Sequence, residues 1–309
     1  MRGYKLTIAQ LKSVKLNYLQ LKPQIEAQDT TSQHPVQDMV MVHGLATNLA
    51  FWYSVASGLS QTHRVTLFDL RGHGRSSMPQ DGYSPSQMAE DLQELMDAVA
   101  LDKVHLVGHS FGGSVVLQFA LRYPERVQSL ILADVRLKLW QPHQRPRNWS
   151  HWHKLQPTLE KVGIYLDENE TEAGYRLLIE MARLQLRTSN GDSSLPKLFS
   201  RLYPQGDSQR TAKRFLKLIE TTTAWQDVTA DETLTVEALQ SLKIPTLAIY
   251  GEQSPNQPTA KALSQCWTHA HLQFVPQAGH FFPVSQPEKF IHAVEDFWNS
   301  ISPIRPDLS

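Results

Sequence analysis

One cysteine, Cys266, is all that 309 residues contain, so the chain can form no disulfide within itself and no multi-cysteine metal cage. That scarcity fits a reducing compartment, and a cytoplasmic location is the expectation. Net charge is missing too, since 30 basic and 30 acidic side chains cancel. A balanced chain carries no electrostatic footprint for nucleic acid or an anionic membrane surface, so neither is expected as a partner. Long hydrophobic runs are also absent. The opening stretch MRGYKLTIAQLKSVKL has charges scattered through it and no apolar core of the kind a secretory signal needs. Two uncharged windows, Met39–His63 and Val104–Leu121, are interrupted by Gly, Ser and His, so no membrane span is expected. No G-x-G-x-x-G and no P-loop sequence occurs, which argues against a nucleotide cofactor, and no cofactor of any kind is expected. Internal repeats and low-complexity tracts are lacking as well.

What remains is a chain with 41% hydrophobic residues and enough length to bury about 75% of its unfolded surface. Short apolar runs alternate with helical patterns through the first half. Val40–Val42, Arg64–Leu70, Val104–Gly108 and Val127–Ala133 read as strands buried on both faces, as in parallel sheets. Between them, Pro85–Ala100 places Met88, Leu92, Leu95, Met96 and Val99 on one helical stripe. Gly112–Tyr123 is a second helix, stopped by Pro124. The alternation predicts βαβ units with a mostly parallel sheet flanked by helices.

After Asp134 the pattern changes. Helices such as Thr171–Arg187 and Ser208–Trp225 follow, separated by breakers at Gln141-Pro142, Pro146, Ser189–Pro196 and Tyr203–Ser208. Strands return at Pro245–Tyr250 and Leu272–Val275, and Pro287–Asn299 reads as a closing amphipathic helix. The predicted organisation is an α/β core over 1–134 and 236–309, interrupted by a helical insertion over 135–235. The first 38 residues are expected to hold one or two edge strands, with Val14–Leu21 the best candidate.

The strongest chemical signal is Gly108-His109-Ser110-Phe111-Gly112, a G-x-S-x-G sequence set directly between a strand and a helix. A sharp turn there forces the serine into a strained conformation and presents its hydroxyl at the C-terminal sheet edge, where open α/β sheets bind ligands. A serine hydroxyl needs a base to become nucleophilic. Of 13 histidines, His280 stands out because it follows the last predicted strand across the loop Pro276–Gly279 and precedes the final helix. His109, inside the elbow, is expected to pack beside the turn. His43-Gly44-Leu45 follows the first core strand, and the Leu45 and Phe111 amides are the natural pair of oxyanion donors. Asp69 is expected to fix the Arg71–Arg75 turn.

The stretches VMVHG, FDLRGHGRS, VGHSFGG, SLILAD, IPTLAIYGE and PQAGHFFPVSQPEKF, in this order, resemble the α/β-hydrolase superfamily, outside the insertion. The resemblance is closest to the branch with a helical cap after the sixth strand. Dehalogenases and epoxide hydrolases of that branch place aspartate at the elbow; Ser110 here speaks for acyl transfer to water instead. The resemblance implies Ser110 as nucleophile, His280 as base, and the Leu45 and Phe111 amides as oxyanion hole. For the triad acid this chain departs from the family. Its G-x-x-D stretch after the seventh strand reads Gly251-Glu252-Gln253-Ser254, and no aspartate lies between Asp231 and Asp296. Asp134, at the end of the sixth strand where some capped relatives put their acid, is the favoured candidate; Glu252 is the alternative.

Neither Cys266-x-x-His269-x-His271 nor the group His143, His151 and His153 makes a convincing metal site, and no metal is expected. Trp140, Trp149 and Trp152 cluster just after the sixth strand, and with His43 they are the candidate lining of a substrate pocket. The expected activity is hydrolysis of a small or slender apolar carboxylic ester. A thioesterase, lactonase, C–C bond hydrolase, cofactor-free perhydrolase or ligand receptor would use the same frame.

Overall fold

The computed structural model describes residues 6–23, 36–187, 208–230 and 234–301. The breakers Ser189–Pro196, and all but the last residue of Tyr203–Ser208, lie outside the described residues.

Eight strands form one sheet: β1 (Thr7–Gln10), β2 (Lys15–Leu21), β3 (Gln37–Val42), β4 (His63–Phe68), β5 (Val104–His109), β6 (Val127–Ala133), β7 (Thr246–Gly251) and β8 (Ala270–Val275). Their spatial order is β1-β2-β4-β3-β5-β6-β7-β8. Of the one or two edge strands expected in the opening segment, β1 is the edge and β2 lies inside it, antiparallel to β1 and to β4; every later pairing is parallel. Helices α1 (Tyr53–Leu59), α2 (Pro85–Ala98) and α3 (Phe111–Arg122) connect the early strands. Between β6 and β7 the described residues hold α4 (Trp152–Glu160), α5 (Ala173–Arg187), α6 (Ser208–Thr221), α7 (Ala224–Thr229) and α8 (Val236–Ser241). Then α9 (Gln257–Cys266), α10 (Phe282–Ser285) and α11 (Pro287–Ile301) complete the chain.

Strand alternation sorts the core into two layers. Val40 and Val42 of β3 and Phe68 of β4 pack with α2 and α3 on one face. Met39, Met41, Val65 and Leu67 turn to the other face, under α1 and α11. The helix α2 starts where predicted because Ser84 caps it, accepting from Gln87 N–H, with Pro85 in the first turn. β4 is shorter than expected at its end. Asp69 still donates its N–H to the Asn17 carbonyl of β2 (2.8 Å), and its carboxylate takes three donors: Oδ1 accepts from Leu49 N–H (2.8 Å), and Oδ2 from Arg75 N–H (2.8 Å) and Asn17 Nδ2 (2.7 Å). It thus holds the Arg71–Arg75 turn, as expected, and two further segments. The single helix read over Ser208–Trp225 is two, α6 and α7. At the break Thr222 Oγ donates back to the Leu218 carbonyl and accepts from Ala224 N–H, a local competition that ends helices.

The consequence for function is topological. β3, β5, β6, β7 and β8 are parallel, so their C-terminal ends, and the loops that leave them, share one edge of the sheet.

Candidate active site

Three of those loops bring Ser110, Asp134 and His280 together. Ser110 sits between β5 and α3 with φ 53°, a left-handed conformation that few L-residues adopt. The glycines around it are required by space. A Cβ on Gly108 would lie 2.5 Å from the Gly112 carbonyl oxygen, and one on Gly112 would lie 2.4 Å from that of His43. Gly112→Ala should therefore cost about 1–3 kcal/mol of stability, by forcing α3 away from the end of β3. A urea unfolding midpoint equal to that of the parent protein would show this reading of the elbow to be wrong.

Ser110 Oγ lies 3.0 Å from His280 Nε2, and His280 Nδ1 lies 2.7 Å from Asp134 Oδ1. The carboxylate can only accept, so Nδ1 carries the proton and Nε2 faces the serine as an acceptor. The ring is therefore placed to take the hydroxyl proton. Asp134 is fully buried and follows β6 with φ 51°. Its carboxylate takes three more donors: Gly251 N–H on Oδ2 (2.8 Å), and Ser254 Oγ (2.5 Å) and Asn256 Nδ2 (2.9 Å) on Oδ1. Glu252, the alternative acid, is exposed and accepts from Gln277 N–H (2.9 Å).

The loop after β3 passes against the elbow: a Cβ on Gly44 would lie 3.0 Å from the Ser110 Cβ. His43 Nε2 accepts from Leu70 N–H (3.1 Å), so its proton is on Nδ1, which donates to the Gly44 carbonyl (2.7 Å). Thr47 Oγ donates to the same oxygen (2.8 Å). In a planar trans peptide the N–H points opposite the C=O, so holding the Gly44 carbonyl fixes the direction of the Leu45 N–H. Phe111 opens α3, where a helix leaves its first N–H groups free of intrahelical partners. His109 packs beside the turn: its ring stacks on Phe51 at 4.5 Å, and Nε2 donates to the His280 carbonyl (2.9 Å). Burial holds its pKa well below the ordinary histidine value, so it is neutral.

A cavity of about 420 Å³ opens at Ser110 and His280. Its apolar wall includes Trp149, Leu155, Leu177, Leu178, Met181 and Phe281, while Gln253, Gln277 and Gln286 contribute amides. Of the four expected pocket residues, only Trp149 lines it. His43 is instead fully buried below the β3 loop, held there by its bonds to Leu70 and Gly44. Trp140 packs on the main core, in a turn where its N–H bonds the Leu137 carbonyl. Trp152 lies edge-to-face behind Trp149, with ring centroids 5.7 Å apart, in a cluster with Leu159, Ile164 and Met181.

Residues 39–287 match the α/β hydrolase fold family. The chain belongs to that family. An abhydrolase domain-containing protein of Caenorhabditis elegans is 25% identical over 291 residues, covering 92% of this chain and 63% of its own. The chain thus spans less than two thirds of that relative's length. The pimeloyl-[acyl-carrier protein] methyl ester esterase of Hamiltonella defensa is 26% identical over 267 residues, covering 84% of this chain and 92% of its own. Among solved structures, the carboxylesterase CesB of Bacillus subtilis superposes with a TM-score of 0.65 at 18% identity, covering 96% of this chain and 92% of that one.

Reading the hydrolase from sequence alone misses Ser254 and Asn256, which bond the acid, and Gln144, which bonds Asn256. Their signal was present only as a gap: Ser254 stands where the family's G-x-x-D would put its carboxylate. No metal-binding group of three or more ligands occurs among the described residues. No helix among them is long and apolar enough to cross a membrane.

Proposed function

We propose that this hydrolase cleaves small or slender apolar carboxylic esters through an acyl-enzyme on Ser110. The observation that carries the proposal is the unbroken chain from Ser110 Oγ through His280 to buried Asp134, opening on an apolar cavity. Ser110 Oγ attacks the ester carbonyl while His280 Nε2 takes its proton, and the Leu45 and Phe111 amides receive the developing oxyanion. His280 returns that proton to the leaving alkoxide as the C–O bond breaks. A water, deprotonated by the same nitrogen, then attacks the acyl-enzyme, and Ser110 leaves with the proton. Asp134 holds the ring's tautomer and stabilises the imidazolium at each stage.

Residues 135–235 act as a cap in this reading, with Trp149, Leu155 and Met181 supplying the wall for the acyl chain. Arg136 lines the cavity wall, and it is engaged by Glu172 and by the Gln141 and Pro142 carbonyls. The exposed lining residues Gln253 and Gln277 are amides, which suits an uncharged ester better than a carboxylate. The esterase activity named for the Hamiltonella relative agrees with this chemistry.

Treatment with a fluorophosphonate probe should label the protein once, at Ser110, and Ser110→Ala should remove the label. A wild-type protein that stays unlabelled sinks the proposal. A p-nitrophenyl ester series set against acyl thioesters then reads chain length and leaving group, and faster turnover of thioesters would replace the ester reading.

A further inference from the structure

We propose that Asn256, reinforced by Ser254, is a positioning residue for the acid, keeping Asp134 ionised and aimed at His280; this rests on the triad reading above. The argument starts from burial. Asp134, Ser254 and Asn256 are each no more than 1% exposed. An ionised carboxylate taken out of water needs several donors to hold its charge. Asn256 supplies them in a single amide, with one Nδ2 hydrogen on Asp134 Oδ1 (2.9 Å) and the other on the Asp134 main-chain oxygen (3.0 Å). The side chain and the strained backbone of residue 134 are thereby gripped together. Ser254 Oγ donates to the same Oδ1 and accepts from Asn256 N–H (3.0 Å), which joins the two helpers.

The orientation of the Asn256 amide is fixed from its other side. Gln144 Nε2, from the helical segment, donates to Asn256 Oδ1 (2.7 Å), so the oxygen cannot turn toward the carboxylate. Gln144 is itself seated by Gly174: a Cβ there would lie 1.8 Å from Gln144 Oε1. Gln144 and Asn256 both line the cavity. A line of hydrogen bonds therefore runs from the wall of the pocket to the acid. The position that carries a carboxylate in the family's usual layout carries here a donor to a carboxylate on the neighbouring strand.

Removing those donors raises the proton affinity of Asp134. The next proton then binds the Asp134–His280 pair more tightly, whichever partner holds it. The acid limb of kcat/KM, below which the pair is protonated and His280 cannot act as base, moves up in pH. Other ionisable groups lie around the pair. Tyr250 on β7, whose pKa burial pushes well above 10, donates to the Val135 carbonyl (3.0 Å). His109 is neutral, with its ring 4.7 Å from that of His280. Arg136 is paired with Glu172, and Glu252 with the Gln277 amide.

The test compares Asn256→Leu, Ser254→Ala and Thr259→Val. Thr259 bonds Gln141 and Leu137 on the same loop side of α9 without touching the carboxylate. Asn256→Leu should raise the midpoint of the acid limb by about one unit, a tenfold loss at a pH below it. Ser254→Ala should move it less, in the same direction. Thr259→Val should lower the thermal midpoint and leave the limb in place. NMR titration of the His280 ring in the same variants reads the pair without turnover. If the wild type neither labels nor turns over, the esterase reading fails, and the NMR shift alone decides this proposal. An unmoved titration in both Asn256→Leu and Ser254→Ala overturns it; should Asn256→Leu fail to fold, Ser254→Ala decides.

Discussion

Changing Asp134 to asparagine is expected to lower kcat for a p-nitrophenyl ester about 10⁴-fold, the scale of losing a triad acid, while KM stays within a few-fold. Two costs combine. An amide cannot serve all four donors that converge on the carboxylate: its NH2 group must face either Gly251 N–H or the cluster of Ser254, Asn256 and His280. His280 also loses the acceptor that keeps its proton on Nδ1, so Nε2 no longer faces Ser110 as a base. Glu252→Gln should cost no more than a few-fold, because Glu252 holds only the Gln277 amide in this geometry. If Glu252→Gln produces the large loss and Asp134→Asn does not, the acid is misassigned.

The second large effect is on stability toward acid. Burial pushes His43 down to about 4 and His73 and His105 down to about 3; His109 lies well below its usual value. The hydrogen bonds agree with neutral rings. His43 Nε2 accepts from Leu70 N–H, and His105 donates to Gln37 Oε1 while accepting from Ser129, which in turn accepts from Trp298 Nε1. The sign follows from linkage. In the unfolded chain these histidines protonate near 6.5 and in the folded one far lower, so below pH 6.5 the unfolded state binds more protons. Their stabilisation is complete above about pH 6.5 and is lost as pH falls toward 4. Each histidine contributes a slope of about 1.4 kcal/mol per pH unit once it is charged in the unfolded state, and four give about 5 kcal/mol per unit. Asp91, whose pKa burial raises, works in the opposite sense, but it is one group against four. Against a total stability of about 5–15 kcal/mol, a loss on this slope is expected to unfold the protein somewhere between about pH 5.5 and 3.5. Urea midpoints from pH 7 to 4.5 should show an uptake approaching four protons, and His105→Gln should remove about one. An uptake below one proton would mean the buried rings are reachable by water or already charged.

How much of this was legible beforehand varies with the physics of each part. The strands from β3 to β7 could be read because burial on both faces leaves continuous apolar runs such as LILA. The elbow was legible because a G-x-S-x-G between strand and helix leaves little room for another arrangement. Asp134 could be named only through a gap, the missing aspartate after β7, since nothing within SLILAD marks an acid. Asn256 and Gln144 were not legible, because their meaning depends on contacts 112 and 122 residues apart in the chain. The pocket was misread for a similar reason. Three tryptophans close in sequence point in different directions, and only Trp149 reaches the cavity.

Of the five non-glycine residues with positive φ among the described residues, four (Ala46, Ser110, Asp134 and Gln277) stand on the loops at one edge of the sheet. Each such conformation costs about 1–2 kcal/mol that the rest of the fold must offset. For anyone engineering heat resistance into the enzyme, this divides the molecule. Ala46 can exchange its methyl for the freedom of glycine. In the proposed mechanism Ser110 and Asp134 must keep both side chain and strained backbone, since the side chain is the chemistry. Thermal hardening therefore has to be built into the sheet, the helices and the buried histidines, while the rim around the proposed site keeps its backbone strain.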